Sequence, residues 1–236
     1  MNIPTAPNSG TGVAIASKLN WLRAGVLGAN DGIVSTSSII FGVVGASASH
    51  SSVILAGIAA IAAGAMSMAA GEYVSVSSQR DLEDAELERE RREIEANPQC
   101  ELAELQHMLE DRGIDRSLAR KVALQLTARD PLTAHARLEF GIDPASVVNP
   151  WQAAVASMIA FTAGGLIPLL SMLLAPRAFE IWVSGAAVLV ALTLTGWISA
   201  GLGGAPKLRS IVRNVLGGLL AMAITYGVGK IAGAAL

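Results

Sequence analysis

A single cysteine, Cys100, among 236 residues rules out an intramolecular disulfide and a thiolate zinc set, and it fits a reducing compartment. The chain shows no phosphate-binding glycine loop, no nucleophile triad and no basic patch suited to nucleic acid, so neither an enzyme nor a nucleic-acid partner is expected. Its first dozen residues lack the basic and apolar regions of a signal peptide. Residues 1–20 therefore read as a disordered cytoplasmic leader. Acid is almost missing from most of the chain: sixteen of nineteen acidic residues lie between Arg80 and Val147. Glu180 reads as a loop residue, which leaves Asp31 and Glu72 as the carboxylates inside apolar segments.

Apolar sequence is abundant, with 52% hydrophobic residues and a mean hydropathy of +0.50. The expected fold is all-α, a polytopic membrane protein. Five segments approach the ~20 residues needed to cross ~30 Å of hydrocarbon as a helix: 24–46, 52–76, 151–174, 179–202 and 211–234. Pro168, following Gly164 and Gly165, predicts a kink in the third. Lys18 and Arg23 precede the first span, ten basic residues lie in the acidic block, and Lys207, Arg209 and Arg213 join the last two spans. By the positive-inside rule all of these face the cytoplasm, and Trp21 and Trp151 suit interfacial anchoring. The division is then a leader at 1–20, spans 1 and 2 within 21–79, a cytoplasmic helical insert at 80–147, and spans 3 to 5 within 148–236.

Proline is absent from His50 to Asn97. Span 2 is therefore expected to continue as one long helix into the insert, until Asn97-Pro98 stops it. A helix over about Gln99–Arg112 would end at Gly113. Another would follow an Asp115 cap to about Ala128, and Asp130-Pro131 would start a last one ending near Gly141.

A carboxylate in hydrocarbon costs at least about 2.5 to 3.5 kcal/mol, so Asp31 and Glu72 imply a cation, a proton or a partner. Met68 lies one turn from Glu72, and Ser35 and Ser38 continue a polar stripe from Asp31. In the insert, Glu90 and Glu93 are three apart, as are Glu101 and Glu104, with a helix break between the pairs. Each pair shares a helix face and can converge on one divalent ion, whether Fe(II), Mn(II), Mg(II), Ca(II) or Zn(II). The plainer alternative is a solvated face neutralised by Arg89, Arg91 and Arg92.

The stretches Asn30-Asp31-Gly32-Ile33-Val34-Ser35-Thr36 and Met66-Ser67-Met68-Ala69-Ala70-Gly71-Glu72-Tyr73-Val74-Ser75 resemble those of the vacuolar iron transporter family, and the resemblance extends over nearly the whole chain. It implies a homodimer that moves Fe(II), and also Mn(II), out of the cytosol in exchange for protons, with no prosthetic group. Carried over by position, it implies a transport path through Asp31, Met68 and Glu72, and metal ligands at Glu90, Glu93, Glu101, Glu104 and Glu139. Where the family often has a Met-Met pair ahead of the last glutamate, this chain has His135-Ala136, and His135 becomes a candidate nitrogen ligand. A short leader and an unadorned chain suggest a bacterial plasma membrane, while the resemblance implies a vacuolar one if the source is a eukaryote. A rival reading, a membrane-anchored di-iron ferroxidase or iron store, draws on Glu104-Leu105-Gln106-His107, a Glu-x-x-His step present in one copy where di-iron bundles use two. A metal sensor that uses its spans only as anchors is the third reading.

Overall fold

The structure, a computed structural model, describes residues 9–144 and 148–235. All regular elements among them are helical: α1 (Ser9–Gly45), α2 (His50–Ala96), α3 (Pro98–Asp111), α4 (Arg116–Arg129), α5 (Pro131–His135), a π turn (Ala136–Phe140), α6 (Pro150–Leu174), α7 (Glu180–Gly203) and α8 (Lys207–Ala235). Five helices are long and apolar enough to cross a membrane. The fold is thus the expected all-α, multi-span one.

Three boundaries differ from expectation. The expected disordered leader is helical from Ser9 onward, because no proline follows Pro7 in this stretch and nothing stops the helix from propagating backward from the first span. Residues 1–8 of that leader lie outside the described residues. Helix α8 begins at Lys207, one turn before its apolar run, since helix geometry extends into a basic first turn that hydropathy alone passes over. Glu180 is not a loop residue but the first residue of α7, and its carboxylate lies 2.9 Å from Nδ1 of His50.

The described residues divide into two compact units, one holding Lys18–Val74 with Asn149–Leu236, the other Ser75–Val148 with the described residues up to Ser17. In the first unit α1 is central. Its Ile33 packs with Val188, Ala191 and Leu192 of α7 and Met222 of α8, and its Ile40 with Val53 and Ile61 of α2 and Leu169 and Met172 of α6. Glycines let the backbones approach closely. A Cβ at Gly32 would clash with the Phe161 carbonyl oxygen, and one at Gly229 with that of Gly42. Pro168 sits inside an α6 that continues through it, and its carbonyl accepts from Ser171 and Ser184 hydroxyls. Many large apolar side chains point outward, among them Leu55, Leu174, Trp182 and Ile231. That surface suits lipid and not water.

Helix α2 has 47 residues. At 1.5 Å per residue it is about 70 Å long, more than twice a ~30 Å hydrocarbon layer. The helix is therefore longer than one span needs, and its charge is concentrated from Arg80 onward.

Candidate metal centre

The insert has a small apolar core and well-defined helix ends. Leu105 and Leu109 of α3, Ala119 and Ala123 of α4 and Ala134 of α5 are buried together, with Leu102, Val122, Leu126 and Leu138 around them. Alanine on α4 brings its backbone close to α3. The Asp115 side chain accepts from the Ser117 amide and caps α4, and Asp130 accepts from the Thr133 amide and hydroxyl and caps α5. These hydrogen bonds, from Ser117 and Thr133 respectively, hold both carboxyls below their ordinary pKa. Gly113 at φ +87° and Gly141 at φ +67° end helices in the left-handed conformation glycine takes without strain. Arg112 donates to the carbonyls of Met108 and Leu138, tying the end of α3 to the π turn.

This arrangement fixes the junction of α5 and the π turn, where His135 sits. Its Nδ1 lies 2.9 Å from Oε1 of Glu90 on α2, 3.9 Å from Oε2 of Glu101 on α3 and 3.9 Å from Oε2 of Glu139 in the π turn. Glu90 and His135 are each only 1% exposed. Despite the short distance, the geometry is not that of a hydrogen bond, and both Nδ1 and Glu90 Oε1 are buried without a hydrogen-bond partner. Ligand atoms of Glu90, His135 and Glu139 all fall within 4.8 Å of one another.

The electrostatics are those of a site short of positive charge. Burial, with the neighbouring charges of Glu139, Glu101, Glu93 and Glu104, raises the Glu90 pKa from 4.5 to about 7. Burial and the Glu104 and Glu93 carboxylates raise Glu101. Burial and Glu104 raise Glu139, with Arg89 acting in the opposite direction. Burial lowers His135, against the Glu104 charge and a main-chain hydrogen bond at Glu101. A divalent cation at the centre would supply the missing countercharge.

Of the six insert residues marked from the sequence, Glu90, His135 and Glu139 converge, Glu101 adjoins them half-buried, and Glu93 and Glu104 are exposed at the margin. His107, the imidazole of the Glu-x-x-His step, is exposed and lies 3.9 Å from Asp111. It takes no part in the cluster. In the other unit Asp31 is half-buried and accepts a 2.8 Å hydrogen bond from Ser35, while Met68 and Glu72 are half-buried one turn apart on α2. Neither carboxylate joins a cluster of three ionisable donors among the described residues. Sequence reasoning missed the buried, unpartnered oxygens of Asn30, Thr36 and Ser157. The Ser35-Thr36-Ser37-Ser38 run was a signal for Thr36; Ser157 stands alone in an apolar helix and gave none.

Fold and site together define a class: an all-helical, multi-span membrane protein whose insert carries a buried imidazole and carboxylate cluster. Within that class the chain belongs to the VIT family, whose model matches residues 22–230. It is 49% identical over 210 residues to the vacuolar iron transporter of Acanthamoeba castellanii, covering 89% of this chain and 77% of that one. Against vacuolar iron transporter homolog 2 of Arabidopsis thaliana the identity is 37% over 219 residues, 92% of this chain and 87% of the relative. Against VIT-like transporter 1b of Glycine max it is 34% over 225 residues, 95% and 81% respectively.

Proposed function

We propose that the protein is a divalent-metal transporter that carries Fe(II), and also Mn(II), out of the cytosol in exchange for protons. The convergence of Glu90, His135 and Glu139 in a chain with five membrane-crossing helices carries this reading. The names of its relatives, vacuolar iron transporter and vacuolar iron transporter homolog 2, support iron as the ion. The basic residues flanking the spans support a cytoplasmic insert, which captures the ion and passes it to Asp31, Met68 and Glu72. There the carboxylates alternate between metal and proton, since either cation neutralises the same buried charge.

A homodimer completes the reading. Ala59, Ala63, Ser67 and Gly71 recur at every fourth position of α2 and all are exposed. Small residues at that spacing let a second helix approach closely in a membrane.

The test is metal uptake into proteoliposomes under an imposed pH gradient, comparing Fe(II), Mn(II), Zn(II) and Mg(II). The expected result is gradient-driven movement of Fe(II) and Mn(II) that Asp31→Asn abolishes. Equal transport with and without the gradient would overturn the exchange, and unimpaired transport by Asp31→Asn would remove Asp31 from the path.

A further inference from the structure

We infer that the groove where α1, α6 and α7 part at one end of the bundle binds one acyl chain of an anionic phospholipid, whose phosphate is met by the basic turn between α7 and α8. The groove has a volume of about 740 Å³, and Asp31, Met68 and Glu72 are not among its lining residues. The site therefore stands apart from the proposed path for metal and protons.

Glycine packing leaves the gap. At Gly28 the α1 backbone lies against Ser157 and Phe161 of α6, and at Gly196 the α7 backbone lies against Ile211 of α8. Near mid-span α7 still meets α1, with Val188 and Leu192 packed on Ile33. Toward the α7–α8 turn, α7 is held on α8 and α1 on α6, and an open space remains between the two pairs. Leu22, Val26, Ala29, Val155, Ile159 and Ile198 line it. Gly25 adds no side chain to the space, and a Cβ there would touch nothing within 4 Å.

Length, polarity and charge identify the occupant. From Trp151 to Ala160 the groove follows α6 for nine residues, which at 1.5 Å each is about 14 Å, close to half of a ~30 Å hydrocarbon layer. An acyl chain of one leaflet has that reach, whereas a packed transmembrane helix would need the full span. The walls are mainly aliphatic. Of the two polar side chains besides the Trp151 indole, Thr195 already donates its hydroxyl to the Leu192 carbonyl, and Gln152 lies at the same end as Trp151. Such an interior takes hydrocarbon.

The charge lies at that same end. Lys207, Arg209 and Arg213 are exposed in the first two turns of α8, and Glu180 is the one acidic residue between Pro150 and Leu236. The Lys207 amino group stands 5.2 Å from the Trp197 ring centroid, and the next residue, Ile198, lines the groove. Trp151 and Trp197 are both largely exposed, as suits side chains at headgroup level. A basic turn without local acid attracts anionic headgroups at a membrane surface.

The experiment is native mass spectrometry of the full chain, delipidated in mild detergent and titrated with phosphatidylglycerol or phosphatidylcholine of identical acyl chains. The parent is expected to retain one phosphatidylglycerol per chain about thirtyfold more tightly than phosphatidylcholine, the gain that two basic side chains near a headgroup give. Lys207→Gln with Arg209→Gln should bring the two lipids level. Gly25→Leu, which extends into the groove from a position where a Cβ meets no neighbour, should weaken both by at least about tenfold, while Gly25→Ala retains them. Glycerol 3-phosphate, which carries the phosphate without acyl chains, should not compete. Equal affinity of the parent for the two lipids overturns the proposal, as does a Gly25→Leu chain that holds lipid like the parent. Displacement of the lipid by glycerol 3-phosphate leaves a phosphate site and no acyl groove. The same spectra read the oligomeric state: if Gly25→Leu loses lipid only by separating two chains, a second copy fills the groove and the proposal fails. Lys207 and Arg209 are exposed, so their arm reads the site even if Gly25→Leu does not fold.

Discussion

Glutamine in place of Glu90 keeps the shape of the side chain and removes its charge, which makes the cost of that charge measurable. In the folded chain the Glu90 pKa is raised from 4.5 to about 7. The folded state therefore holds the proton more tightly than the unfolded one. Stability from this group is complete below about pH 4.5 and is lost as pH rises toward 7. At 1.36 kcal/mol per unit, a rise from 4.5 to about 7 corresponds to about 3 kcal/mol. Glu90→Gln has no such slope at this position. Between pH 4.5 and 8 its stability should gain about 3 kcal/mol on the parent chain, with a residual slope in both from Glu101 and Glu139, whose pKa values are also raised. The assay is hydrogen exchange of the metal-free full-length protein in nanodiscs, following α3 and α4 amides from pH 5 to 8 after correction for the intrinsic rate. Zn(II) should restore protection to the parent chain at pH 8 and add less to the variant, which has lost a donor, because a ligand that binds only the folded state stabilises it. Parallel slopes in the two proteins, or a variant that loses ground as pH rises, would refute the electrostatic account of the site.

Three further outcomes follow from the packing. Gly229→Ala would drive a methyl into the Gly42 carbonyl and should lower stability by about 1 to 3 kcal/mol, seen as a lower thermal midpoint in detergent, while Gly227→Ala, with open space around it, should not. Phe161→Ala removes a ring that is 2% exposed and lies against Gly64, and should cost about 3 to 5 kcal/mol in the same measurement. Asp130→Ala uncaps α5, whose last residue is His135, and at about 1 kcal/mol should weaken Co(II) binding roughly fivefold with every donor still present, an effect that Asp130→Ser reverses.

The spans were legible because apolar runs of the right length have few other uses. The insert's helix ends were legible because Asp115, Asp130, Gly113 and Gly141 occupy positions where caps and left-handed turns need those residue types. Continuity of α2 followed from the absence of proline. What could not be read was burial. Glu90 and Glu93 look alike in sequence, yet one is 1% exposed and the other lies open to solvent, since their difference depends on where α5 comes to rest. The π turn that presents Glu139 was also hidden, because its residues would serve equally well in an ordinary helix. Likewise the His50 and Glu180 pair joins residues 130 positions apart, beyond any local pattern.

The glycine contacts of α1 limit which helices can move. Gly28 and Gly32 place its backbone against α6, and Gly42 and Gly45 place it against α8, with Gly229 and Gly233 answering from the other side. Backbones in direct contact have no side chains between them to change rotamer, so they neither slide nor turn without separating first. On the proposed transport reading, Asp31 lies within this closely packed block. A rearrangement that opens a path past it would then be carried by helices outside the α1, α6 and α8 block, and spin labels placed within that block should report one unchanging distance through a full cycle of turnover.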